Sequence, residues 1–179
     1  MDTYSKIRWF IDLHSYAGDV LYSWGSDTNQ HEFPGMSFLN SSYDSVRGIV
    51  KDTPGEDGGY GEYKPEEDVE ANEGAAKRMA EAMTAGGASG DEYSAMQSAA
   101  LYPTSGATDD YAYSRHFANP ELGLINAYTV EFGFGNDDAW CPFYPSVEGY
   151  NANIRATNAG FMEFLLAAVE YGLGDETKC

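Results

Sequence analysis

An imidazole at the end of an apolar run is the side chain in this sequence best placed to do chemistry. His14 closes the stretch from Arg8 to Tyr16, RWFIDLHSY, in which a strand-like hydrophobic run gives way to a carboxylate, an imidazole, a hydroxyl and a phenol. A neutral imidazole is a good zinc ligand, and a catalytic zinc needs about three protein ligands. Asp12 precedes His14 by two residues and therefore shares its face of an extended strand. It either supports the histidine or is a buried, satisfied carboxylate. Glu131 is an acid late in a second apolar run, after Tyr128-Thr-Val. Burying a carboxylate there is costly unless it has a partner or a task. A carboxyl with raised proton affinity beside a metal-bound water is a general base. Between these two runs lies LYPTSGATDDY, Leu101 to Tyr111, a glycine- and serine-containing turn followed by two adjacent acids.

The elements that must position these groups are legible from pattern. Residues 7–13 read as a strand, and 19–24 as a second one after a turn at Ala17-Gly18. Residues 25–63 are loop-like and include an acidic, glycine-rich patch from Asp52 to Tyr63. A connection of that length in a compact domain is usually functional or mobile. A helix is signalled over 65–85: Pro65 suits its first turn, Glu66, Glu67 and Asp68 suit its positive end, and Gly86-Gly87 stops it. Its apolar face is Val69, Ala76, Met79, Ala80 and Met83. A short strand is expected within 94–101, a short helix over 108–117 capped by Thr108, and a strand over 124–132. A long helix over 146–172 would turn Tyr150, Ile154, Phe161, Leu165, Ala168 and Val169 inward. Alternating strands and helices imply an α/β fold with a mostly parallel sheet, in which ligands bind beyond the strand ends.

Composition narrows the class of partner. The net charge is −19, from 29 acidic and 10 basic residues, so phosphate backbones and anionic membrane surfaces are unsuited and cationic peptides are suited. Hydrophobic residues make up 42%, enough for a real core in one domain. There is no apolar run long enough to span a membrane, and residues 1–6 do not form a signal peptide. Cys141 and Cys179 fit either one disulfide or two free thiols. There is neither a glycine-rich phosphate loop nor a Gly-x-Ser-x-Gly elbow.

In this order, RWFIDLHSY, LYPTSGATDDY and YTVEF (Tyr128 to Phe132) resemble three segments of the zinc metallocarboxypeptidases, the family of carboxypeptidases A and B and their bacterial relatives. The resemblance implies a zinc ligand at His14. It implies a catalytic glutamate at Glu131, which activates the zinc water and then protonates the leaving amine. It implies that Tyr102 closes over the substrate's C-terminus, and that Asp109 lies at the base of the pocket for the terminal side chain. An acid there resembles the type that selects Lys or Arg, while some bacterial members with an acid at this place accept apolar residues too. Ser15 and Tyr16 match substrate-lining positions, and Asp110 is structural. The implied fold is the C-terminal part of a mixed, mostly parallel sheet flanked by helices, with residues 1–179 forming one partial catalytic domain. The sequence departs from the family in one respect that matters: it has no His-x-x-Glu, the segment that gives the other two zinc ligands. The family's substrate-carboxylate arginine and its Asn-Arg pair have no match either. The expectation is therefore a chain that acts on peptide or protein C-termini only when completed. Alone it would hold zinc weakly or not at all and be inactive. Isolated half-sheets expose strand edges, so a companion fragment, a homo-oligomer or coverage by the 25–63 loop is expected. No nucleic acid or membrane partner is expected, and the parent protein would be secreted or extracellular. The rival reading is a binding or structural module that keeps the half-fold without catalysis.

Overall fold

Two short apolar runs and their helical partners build the sheet that carries the site. In the computed structural model, which describes residues 1–48 and 59–172, the first run forms β1 (Trp9–His14). It is followed by β2 (Asp19–Tyr22), β3 (Asn29–Gln30) and β4 (Glu62–Tyr63). Then come α1 (Glu66–Gly86), β5 (Ser94–Gln97), α2 (Ser98–Leu101), α3 (Thr108–Ala118), β6 (Asn126–Glu131) and α4 (Val147–Tyr171). The main sheet has the order β1-β6-β2-β5; β1 and β6 are parallel, as are β2 and β5, and β2 runs antiparallel to β6. The α/β class and the mixed, mostly parallel sheet flanked by helices are as the pattern implies. The pair β3 and β4 forms a separate ribbon inside the long 25–63 connection. Part of the acidic patch from Asp52 lies outside the described residues, as does Cys179 and with it any pairing to Cys141.

Strand alternation divides the sheet into two chemically different faces. On one, Val20, Tyr22, Tyr128 and Val130 pack with Trp9 and Ile11 against α1 and α4. On the other, Ala127 and Phe10 pack with Trp24, Tyr113 and Ile125 around α3. Continuing along that second face towards the strand ends, the apolar residues are replaced by Asp12 and His14 on β1 and by Thr129 and Glu131 on β6. The sheet thus builds a core at one end of this face and a polar site at the other.

Three expectations are corrected. The strand within 94–101 is only β5, because Ser98–Leu101 turns helical. Thr108 does not cap α3: Ala107 occupies the cap position without a side-chain bond, and the Thr108 hydroxyl donates instead to Asp12 of β1. The inward face of α4 is not the one formed by its large residues. Ala152, Ala156, Gly160, Ala167 and Ala168 are buried, whereas Tyr150, Ile154, Leu165 and Val169 are exposed. The reason is close helix approach. A side-chain carbon at Gly160 would come within 2.8 Å of the Met83 sulfur of α1, and one at Gly86 within 3.1 Å of the Arg155 carbonyl oxygen of α4. Only small residues fit that seam, so the bulky residues lie on other faces of the helix. Arg78 reinforces the seam by donating to Glu163 at 2.8 and 3.0 Å.

Candidate active site

Parallel register brings the two chemically competent residues together. His14 and Glu131 are register partners at the last positions of β1 and β6. His14 Nδ1 lies 3.6 Å from Glu131 Oε1, and His14 Nε2 lies 3.1 Å from Asp12 Oδ2. The imidazole is about half exposed and the Glu131 side chain mostly covered, at 49% and 18%. Burial raises the proton affinity of Glu131 above that of an ordinary glutamate; the His14 ring opposes this, and Asp19 and Asp12 add to it. Asp12 shifts the other way. The Thr108 hydroxyl, with the His14 ring assisting, holds its carboxyl below the ordinary value despite partial burial. Two neighbouring carboxyls are thereby pushed apart in proton affinity, the pattern that separates a base from a spectator charge.

Beneath this pair lies a cleft of about 300 Å³, lined by His14, Glu131, Asp12, Tyr102, Thr108 and Asp109 among others. The loop after α2 presents Tyr102, whose side chain is exposed at the rim. Asp109, in the first turn of α3, is buried and accepts a hydrogen bond from Ser98 Oγ at 2.9 Å. Burial raises its proton affinity, partly offset by the Ser98 bond. Asp110 points away from this cleft and accepts the Gly25 N–H on both oxygens, at 2.9 and 3.0 Å. Burial, with Asp109 adjoining, moves its pKa up to about 6. That is a structural fixture between α3 and the loop after β2.

His14, Glu131, Tyr102 and Asp109 therefore line one cleft, although they are dispersed along the chain. Ser15 and Tyr16 do not. One residue beyond His14 the chain presents itself to the other face of the sheet, where Ser15 and Tyr16 line a second, largely apolar cavity of about 430 Å³ with Leu13, Phe132, Phe143 and Tyr150.

A scan of protein families matches residues 1–157 to the zinc carboxypeptidases. The chain belongs to the zinc carboxypeptidase family. Zinc-dependent carboxypeptidase chemistry is thus the family's activity. No curated protein matches the chain. Among the described residues no group of three His, Cys, Asp or Glu side chains could hold a metal ion. His14 offers one nitrogen, while Asp12 and Glu131 are turned to the ring itself. The described residues therefore do not fit zinc as a self-sufficient site. His116, another candidate ligand by type, packs its ring on Phe117 and bonds the Tyr113 carbonyl.

Two contributors were not visible in the sequence. Thr108 has the signature of a helix cap, and its real bond is to a residue 96 positions away. Lys64 sits in an unremarkable polar stretch, yet it is fully buried behind the acids of α3. It donates to the Ser23 carbonyl at 2.8 Å and to Asn72 Oδ1 at 2.6 Å, with its ammonium 4.4 Å from the Tyr113 ring centre. No local pattern distinguishes such a lysine from an exposed one.

Proposed function

We propose that this chain provides the base side and the specificity side of a metallocarboxypeptidase site, one that removes single residues from peptide C-termini. The observation that carries this reading is the register pairing of His14 with Glu131 over a cleft that also receives Tyr102 and Asp109. Glu131, with its raised proton affinity, takes a proton from the attacking water and returns it to the leaving amine. Tyr102, exposed at the rim, is free to hydrogen-bond the substrate's terminal carboxylate. Asp109 at the floor favours a terminal Lys or Arg, and the net charge of −19 draws cationic peptides inward. Ser15 and Tyr16 would contact the substrate only where it crosses from one face of the sheet to the other. His14 is the metal-ligand candidate, and the remaining ligands come from outside the described residues.

Among the described residues the donor set is incomplete, and further polypeptide would complete the site. Two features support this. β1 is an edge strand, yet its residues Trp9, Phe10 and Ile11 are apolar and serve both faces, as in a central strand. Natural edges are usually blunted by charge, proline or bulges. The apolar second cavity adjoins that edge through Leu13, and α4 leaves Leu165 and Val169 exposed. A companion chain, or a second copy, would cover this ground. The testing experiment uses the completed enzyme with a C-terminal Arg peptide. Chelator-sensitive release of Arg that disappears in Glu131→Gln supports the reading, and release that survives both treatments contradicts it.

A further inference from the structure

We propose that Asp110 is a positioning residue for Tyr102: by holding Gly25, it fixes the feet of the short arch that carries Tyr102 over the cleft. This rests on the reading of Tyr102 as the group that hydrogen-bonds the substrate's terminal carboxylate.

The segment that leaves β2 is the anchor. Trp24 is buried and packs its ring on Tyr113 of α3, with centroids 4.9 Å apart. The next residue, Gly25, donates its N–H to both oxygens of the buried Asp110, at 2.9 and 3.0 Å. Helix α3 therefore grips two successive residues, one by its ring and one by its backbone. Their carbonyls in turn hold the arch. The Trp24 carbonyl accepts the Ala99 N–H at 3.0 Å, and the Gly25 carbonyl accepts the Thr104 N–H at 2.7 Å. Between these two feet Leu101, Tyr102 and Pro103 are exposed. Tyr102 thus stands near the tip of a span whose ends are tied to adjacent peptide groups. No side chain fits at the hub: a side-chain carbon at Gly25 would come within 2.5 Å of Thr104 Oγ1 and 3.1 Å of Asp110 Oδ2. Burying the Asp110 carboxyl is costly, and its bond to Gly25 is what offsets that cost. Asp110 points away from the cleft, so it reaches the substrate only through the arch. A short span with fixed feet has few conformations to lose when Tyr102 closes, and less binding energy goes into ordering it. Releasing Gly25 frees the Thr104 foot, lengthens the mobile span and displaces the position from which the Tyr102 hydroxyl starts.

Amide hydrogen exchange in the isolated chain reads the hub with neither metal nor substrate. The Thr104 amide should be protected in the wild type. Asp110→Ala should speed its exchange by about tenfold or more, while the amides of β6 keep their wild-type rates. Asp110→Asn keeps a side-chain oxygen that accepts the Gly25 N–H, and should stay near the wild type. Gly25→Ala crowds Thr104 off its foot, should also speed exchange there, and keeps the test available should Asp110→Ala unfold. In the completed enzyme, Asp110→Ala should raise KM for an Arg-ended peptide by about tenfold, the usual worth of a hydrogen bond to a charged group. The kcat should hardly change, because the lost interaction is one of binding. Tyr102→Phe should cost less in that background than in the wild type, since both changes remove the same contact. Asp110→Asn loses the charge but keeps the bond, so it should restore KM and exclude a charge effect on Asp109. Unchanged Thr104 exchange in both Asp110→Ala and Gly25→Ala would overturn the proposal. So would full additivity with Tyr102→Phe, or Asp110→Asn as damaging as Asp110→Ala. Failure of the carboxypeptidase reading would show instead as missing chelator-sensitive release in the completed wild type, with the Thr104 exchange result intact.

Discussion

At the residue scale, the site depends on two carboxylates kept in different states by their surroundings. Glu131 is raised by burial, and Asp12 is lowered by a hydroxyl donor. Replacing Glu131 by Gln in the completed enzyme should lower kcat/KM by about 10²–10⁴, the usual worth of general acid–base catalysis. It should also abolish the acidic limb of the pH profile, which in the wild type lies above the ordinary glutamate value; steady-state kinetics across pH checks both. The role proposed for Asp109 is specificity. Asp109→Ala should depress turnover of Lys- and Arg-ended peptides far more than of Leu- and Phe-ended ones, and equal losses on all four would show that Asp109 does not read the side chain. Added salt should weaken the steering of cationic peptides but leave the preference within the pocket. His14 and Glu131 were legible in the sequence because each ends an apolar run, where a polar residue is conspicuous. Lys64 and the Thr108–Asp12 bond were not, since both are made by residues of ordinary local context whose partners lie far along the chain.

At the element scale, the helix and strand positions followed from periodicity and punctuation, and α1 and α4 lie close to where the pattern put them. The orientation of α4 did not, because size is the wrong guide where two helices touch through alanine and glycine. Gly160→Val should therefore destabilise the fold by about 1–3 kcal/mol, the usual cost of overpacking, since its side chain meets Met83 in a closed seam. Denaturant unfolding measures this, and a midpoint equal to the wild type would show that the seam is loose. Lys64 predicts a pH dependence. Burial lowers its pKa from 10.5 to about 7 in the folded chain, with Asp68 and the two α3 acids partly opposing. Between about 7 and 10.5 the unfolded chain therefore binds the extra proton, and stability should rise with pH by up to about 1.4 kcal/mol per unit. Lys64→Met should remove that rise; a slope unchanged by the substitution would assign it to another group.

At the scale of the whole molecule, the chain has a central-strand sequence at its sheet edge and large apolar side chains on the open face of a helix. Among the described residues, no helix is long and apolar enough to cross a membrane, so a bilayer-spanning helix does not account for that surface. If a companion or second copy covers it, Leu165→Glu combined with Val169→Lys should weaken association by tenfold or more. Stability of the isolated chain should change by no more than about 0.5 kcal/mol, as for ordinary surface substitutions. Size-exclusion chromatography and unfolding curves read these two quantities, and a wild type that remains a clean monomer with or without a companion would count against covering. On the function proposed above, His14 is one ligand of a metal site that the described residues do not complete. Calorimetric titration of zinc into the isolated chain and into His14→Ala tests it most directly. Zinc should bind weakly, and binding should fall further or vanish without the imidazole; tight one-to-one zinc binding that His14→Ala leaves unchanged would rule this role out.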